Sequence, residues 1–305
     1  MTTLNLKHKP TQWVILLFLA IIWGSSFILM KRGLVYFSST EVAAFRISLA
    51  SIVLSPIAIR NLKKIRGNSM YLLITGLFGN AIPAFLFAMA QTQIPSALSG
   101  ILNSLTSLFT LTIGVLIFRM QTTVYQIIGV LLALVGAVGL IGVENITELN
   151  ADASYALLVV LAAAMYGTAV NTIKSKLPHM RPTHITALSF FLTGPWCLLF
   201  LLFQTDFVNQ LKANPQSWNG VMYLTILAII GTALAVVLFN RLIKETTAVF
   251  ASTVTYIIPI VALCWGLIDG ESILATDILF MLVILGGIFL VNNQGVAQRL
   301  NKFFR

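Results

Sequence analysis

The side chains most able to engage another molecule form a polar stripe. Ser96, Ser99, Asn103, Thr106, Ser107 and Thr110 recur at three- and four-residue steps, which places them on one helical face. A second stretch repeats the arrangement with Ser252, Thr255, Tyr256, Pro259, Leu263 and Gly266. Hydroxyl and amide groups donate and accept hydrogen bonds. No His or carboxylate stands among them to activate a nucleophile. Neither a phosphate-binding glycine loop nor an HExxH or GxSxG pattern is present. The chemistry on offer is recognition, and no enzyme activity is expected. The fourth-helix stripe serves one of two ends, hydrogen bonding between packed helices or the wall of a wet cavity.

Further candidates sit at similar spacings. Trp23 and Ser26 lie close together, and Tyr166 stands in a matching context later in the chain. Asn80, Pro83 and Phe87 share a helical face. The expected cavity lining is therefore Trp23, Ser26, Asn80, Phe87, Asn103, Ser107, Tyr166 and Tyr256. Pro83 and Pro259 are expected hinges, because proline removes a helical hydrogen bond. Arg46 lies inside an apolar run, where an ionisable group is a functional candidate. It either snorkels to the near surface, forms a structural pair, or contacts substrate or a gate. His179 and His184 read as solvated interfacial residues, and Cys197 and Cys264 as small apolar ones. None has metal-ligand spacing, so neither metal nor cofactor is expected.

The elements that must position these groups come from a duplication. An offset of 152 residues lays Gly114 on Gly266, Ser107 on Pro259, Gly79 on Gly231 and Leu86-Phe87 on Leu238-Phe239. An offset of 143 lays Trp23-Gly24-Ser25 on Tyr166-Gly167-Thr168 and Lys31 on Lys174. The difference is a nine-residue insertion near 206–217.

The chain has 305 residues, of which 58% are hydrophobic and 9% charged, a composition that excludes an ordinary soluble domain. Ten apolar runs reach the roughly 20 residues needed to cross ~30 Å of hydrocarbon. They fall near 12–30, 42–59, 70–92, 96–118, 124–143, 154–172, 185–203, 218–241, 248–268 and 276–293. The expected fold is an all-α integral membrane protein with ten transmembrane helices. Five spans per repeat is an odd number, so the halves enter the membrane in opposite senses, an arrangement found in transporters. The expected units are 1–143, an acidic outer loop 144–153, and 154–305 ending in a basic tail.

Net charge is +10, but its placement argues for topology and not for nucleic acid. Of 19 Lys and Arg, three (Lys31, Arg32, Lys212) fall on outer segments, Arg46 lies within a span, and the other 15 fall on inner segments. Both termini are expected in the cytoplasm, with the protein in the plasma membrane, a bacterial inner membrane. All nine carboxylates lie in loops or at span ends, which favours uncoupled or exchange transport, or coupling through some less usual group. Glu271, in the link Asp269-Gly270-Glu271, is expected to cap the tenth helix or bond backbone amides. Gly129, Ala133 and Ala137 form a close-packing seam, for an intra-chain contact or a homodimer face.

The run Trp23-Gly24-Ser25-Ser26-Phe27, the Arg46 helix, and Thr255 to Glu271 followed by Gly286-Gly287 resemble the EamA-type branch of the drug/metabolite transporter superfamily. That family carries Pro in its fourth and ninth helices and Gly-Glu after each. Pro259 and Gly270-Glu271 match it, whereas Ser107 stands where Pro is expected and Arg119 where Glu is expected. The resemblance implies two inverted five-helix units, alternating access, and export of small metabolites such as amino acids, nucleosides or drug-like amphipaths. The expected partners are that substrate and the lipid bilayer. A non-transporting membrane scaffold is the other class of reading.

Overall fold

The computed structural model describes residues 9–120, 123–141, 151–246 and 248–292. These are helical, with no strand among the described residues. Among the described residues, eight helices are long and apolar enough to cross a membrane, and two shorter apolar helices accompany them. In chain order they are α1 (Lys9–Leu34), α2 (Ser39–Ile59), α3 (Ser69–Ala90), α4 (Ser96–Leu116), α5 (Val124–Ile141), α6 (Ala151–Lys176), α7 (Pro182–Phe203), α8 (Ser217–Glu245), α9 (248–268) and α10 (Ala275–Asn292). A short surface helix, Phe207–Ala213, occupies the insertion that separates the two repeat offsets. The acidic stretch at 144–150 and both chain ends lie outside the described residues.

Helix packing repeats across the two halves. α2 packs on α7 and α5 on α10, each helix beside its counterpart five helices later. α4 packs on α6 as α9 packs on α1, and α3 packs on α6 as α8 packs on α1. Exchanging each helix with the one five later maps this set of contacts onto itself. Gly194 and Ser51, which the 143-residue offset pairs, meet at the α2–α7 crossing, where a Cβ on Gly194 would fall 2.1 Å from that of Ser51. Glycine is required there by close approach.

The Gly129–Ala133–Ala137 seam is used inside the chain. It receives Gly287 of α10 so tightly that a Cβ there would stand 2.5 Å from the Gly129 carbonyl oxygen. Outward faces carry large apolar side chains such as Leu131, Val135, Phe203, Ile268 and Leu282. In water such a surface would be a liability, and in hydrocarbon it is matched.

Four interruptions break the long helices, and they too fall in pairs. α3 contains a π-helical segment, Leu77–Ala81, and α8 contains another, Ile229–Leu234; they begin 152 residues apart. α4 breaks at Ser104, and α9 passes through a 3-10 segment, Thr253–Tyr256. Such interruptions expose backbone carbonyls and re-aim side chains. Pro83 does not cause the α3 segment, because Ala235 holds the corresponding place in α8 and the same π segment forms. The shared feature is Gly followed by a polar residue. Asn80 Nδ2 donates to the Thr75 carbonyl at 3.2 Å, and Thr232 Oγ1 donates to the Leu227 carbonyl at 2.9 Å. Each side chain thus satisfies the carbonyl five residues back that the bulge leaves without its normal partner.

Candidate functional site

The π segments and the α4 and α9 breaks surround one cavity. Trp23, Ser26, Phe27 and Met30 line it from α1, Arg46 from α2, Asn80 and Phe87 from α3, Asn103 and Thr106 from α4, and Tyr166 and Ile173 from α6. Thr232, Phe239 and Asn240 of α8 and Val254, Thr255 and Ile258 of α9 complete the wall. Its volume of about 110 Å³ exceeds the ~10–15 Å³ that one water needs, and its mostly apolar wall carries a few polar groups that water or a ligand can meet.

The aromatic lining follows the internal repeat. Trp23 meets Phe239 edge-on at 4.9 Å, and Tyr166, its counterpart, stacks on Phe87, the counterpart of Phe239, at 6.0 Å. The Trp23 indole N–H donates to the Gly231 carbonyl at 3.0 Å, so the π segment satisfies the buried indole. Thr232 and Phe239, absent from the expected lining, are the 152-residue counterparts of Asn80 and Phe87, and that offset was the signal that pointed to them. Asn240, whose Nδ2 donates to Thr186 Oγ1 at 2.8 Å, has no such signal.

Arg46 does not snorkel to the near surface. It lines the cavity, and its Nε donates to Thr232 Oγ1 at 2.6 Å. Among the described residues, its Nη atoms, the Asn103 amide and the Tyr166 hydroxyl have no protein hydrogen-bond partner, and all three residues stand on the cavity wall. Polar groups so placed are satisfied by water or ligand.

Two expected lining residues are corrected. Ser107 is 2% exposed and off the wall; its Oγ donates to the Ser252 carbonyl at 2.8 Å and lies 3.2 Å from Thr255 Oγ1. The α4 break at Ser104 separates its facing from that of Asn103, so the polar stripe divides: Asn103 and Thr106 face the cavity, and Ser107 ties α4 to α9. Tyr256 also faces away, its hydroxyl donating to the Ile288 carbonyl of α10. Pro259 sits in the first turn of the α9 segment Ile258–Ile268, where its missing N–H costs no helical bond.

The two ends of the bundle are tied differently. At one end the Glu271 carboxylate accepts from Lys31 Nζ at 2.8 Å, the Ser96 amide at 3.0 Å, Ser96 Oγ at 2.7 Å and the Ala97 amide at 3.0 Å. It caps the N-terminus of α4, not of α10. Asp269 pairs with Lys31 at 2.6 Å and also with Arg32. Burial alone pushes the Glu271 carboxyl up, but the bonds from Lys31, the Ser96 hydroxyl and the Ala97 and Ser96 amides hold it below its ordinary value.

At the other end, Lys174, the counterpart of Lys31, donates to the carbonyls of Ile243, Lys244 and Thr246. The residue corresponding to Glu271 is Met120 and not Arg119. α9 closes with the Glu271 amide on the Gly266 carbonyl, and α4 with the Met120 amide on the Gly114 carbonyl, one residue longer. Arg119 takes the left-handed position of Gly270, with φ of 54° against 79°. The Met120 side chain lies against Gly114 as the Glu271 carboxylate lies against Gly266.

Comparison with known proteins agrees with this architecture. The model of the EamA-like transporter family matches residues 11–142 and again 153–293. An uncharacterized transporter of Clostridium kluyveri is 25% identical over 264 residues, covering 83% of this chain and 84% of that protein. A solved crystal structure, 17% identical, superposes over 96% of this chain and 99% of its own with a TM-score of 0.66, a likeness of fold. With nearly every described helix inside the two matched stretches, the chain belongs to the EamA-like transporter family.

Proposed function

We propose that the protein is a secondary transporter that moves a small metabolite outward across a bacterial plasma membrane. The observation that carries this is a polar-headed cavity at the meeting of the two halves, walled by both. Sites at a repeat interface near mid-membrane serve alternating access, in which one half rocks against the other. All ten apolar helices cross the bilayer in this reading, as two inverted units of five. The paired contacts, the paired π segments and the two matches to one family model support it.

In this reading the Glu271 end faces outside and the Lys174 end, with both termini, faces the cytoplasm, which the basic-residue asymmetry supports. The Glu271 network joins α1, α4 and the link after α9, so it must loosen for the cavity to open outward. Carbonyl-bound Lys174 is the corresponding tie at the inner end. Trp23, Ser26, Asn80, Phe87, Asn103 and Tyr166 contact the substrate. The π segments and the α4 and α9 breaks serve as hinges, with Pro83 and Pro259 beside them.

Reconstitution tests this reading. Liposomes loaded with a defined metabolite mixture should lose particular members only when they contain the protein. A bulky thiol reagent on Asn103→Cys should block that loss. Protein-independent loss of every member would instead support a scaffold.

A further inference from the structure

The cavity holds a fixed positive charge with no countercharge among the described residues that line it. No Asp or Glu is among its lining residues. The ion pairs among the described residues all lie at the Glu271 end and leave Arg46 out. Guanidinium stays protonated in proteins, and leaving it unpaired at membrane depth is costly.

The fold does not demand this charge. The 143-residue offset pairs Arg46 with Ser189, whose hydroxyl simply donates to the Thr186 carbonyl at 3.0 Å. One half therefore forms its wall without a cation. The position of Arg46 is also set. Thr232 Oγ1, in the π segment, donates its own proton to the Leu227 carbonyl and accepts from Arg46 Nε, which leaves the Nη fork free of that bond on a residue of the cavity wall. Tyr166 lies within electrostatic reach of the guanidinium. Among the described residues, the Tyr166 hydroxyl and the Asn103 amide are unpartnered donors on the same wall.

We propose that the Arg46 fork, set by Thr232, is a carboxylate site, and that the transported substrate is an organic monoanion with an apolar or aromatic body and no cationic group. This rests on the transport reading above for the word transported, and on the cavity alone for the site. A planar fork matches a carboxylate with two parallel bonds, and a phenol or amide adds donors that a neutral or cationic head uses less well. Trp23, Phe239 and Phe87 offer the body aromatic faces. An ammonium group would meet Arg46 and no carboxylate, so zwitterionic amino acids bind less well than their des-amino acids. An inside-negative potential would drive such an anion outward without a coupling ion, supporting a gradient of about 50-fold per 100 mV.

The test uses three probes of one shape, 3-phenylpropanoate, 3-phenylpropanamide and 3-phenylpropylamine, bound to the purified full chain at neutral pH. The carboxylate should bind roughly 10- to 100-fold more tightly than the amide, and the amine most weakly. Arg46→Gln should erase the difference between carboxylate and amide, and Arg46→Lys should keep part of it. Equal binding of acid and amide, preference for the amine, or no acid binding at millimolar concentration overturns the proposal. So does an acid preference that survives Arg46→Gln. The wild-type series needs no variant to fold. In liposomes, flux confined to neutral or cationic solutes would remove the anion site and leave transport standing. Arg46-dependent acid binding without any flux would do the reverse.

Discussion

Replacing Glu271 by Gln removes one charge and one acceptor from a nearly isosteric side chain. Three of the four donors converge on Oε1, and the Ala97 amide alone faces Oε2. Gln keeps an oxygen at the first position and turns an NH2 toward the Ala97 N–H. That backbone donor then loses its partner, at about 1–3 kcal/mol. The α4 terminus loses its anion, at about 0.3–1 kcal/mol. Lys31, 35% exposed at its side chain, keeps Asp269 at 2.6 Å, so that part costs under about 1 kcal/mol. The sum is roughly 1–5 kcal/mol, or on the order of 2–8 °C in unfolding midpoint for a chain of 305 residues.

The pH dependence carries a sign. The folded carboxyl titrates below its ordinary value of 4.5, so its stabilisation is present above that value and is lost as pH falls through the lower folded one. In detergent, the wild-type midpoint should therefore fall on acidification below 4.5 more steeply than that of Glu271→Gln. Unchanged stability with abolished flux would refute the structural role. Parallel acid profiles would refute the electrostatic account.

Arg119→Gly should stabilise by up to about 1 kcal/mol, read as a higher unfolding midpoint, because a side chain at φ 54° is strained; destabilisation would show that the arginine head has a partner worth more than the strain. In a background lacking Cys197 and Cys264, a cysteine at Asn103 should react with a small hydrophilic thiol reagent, while cysteines at Ser107 and Leu105 react slowly. Equal rates at all three would move the pathway off α4. Trp23→Phe should cost about 1–3 kcal/mol by leaving the Gly231 carbonyl unpaired, and a midpoint equal to wild type would mean that water replaces the indole.

Sequence alone determined the class of the molecule. Apolar length, the absence of carboxylates from the middle of the apolar runs and two constant offsets are properties of composition and period, and they persist without coordinates. They yielded the helices to within a few residues and the correspondence of Trp23 with Tyr166 and of Phe87 with Phe239, while the ring contacts between them came from the tertiary structure. They also singled out Arg46, because a charge in an apolar run is visible in one dimension. What they left open depends on facing and on hydrogen-bond partners across the chain. A regular helix puts Asn103 and Ser107 on one face, and only the break at Ser104 sends one to the cavity and the other to Ser252. Tyr256 looks like a lining residue until the Ile288 carbonyl takes its hydroxyl. Glu271 had several amides within sequence reach, but the α4 terminus, 175 residues away, is the one it caps. The alignment of Arg119 with Glu271 failed because α4 closes one residue longer than α9, a difference set by backbone hydrogen bonds that leave no trace in residue types.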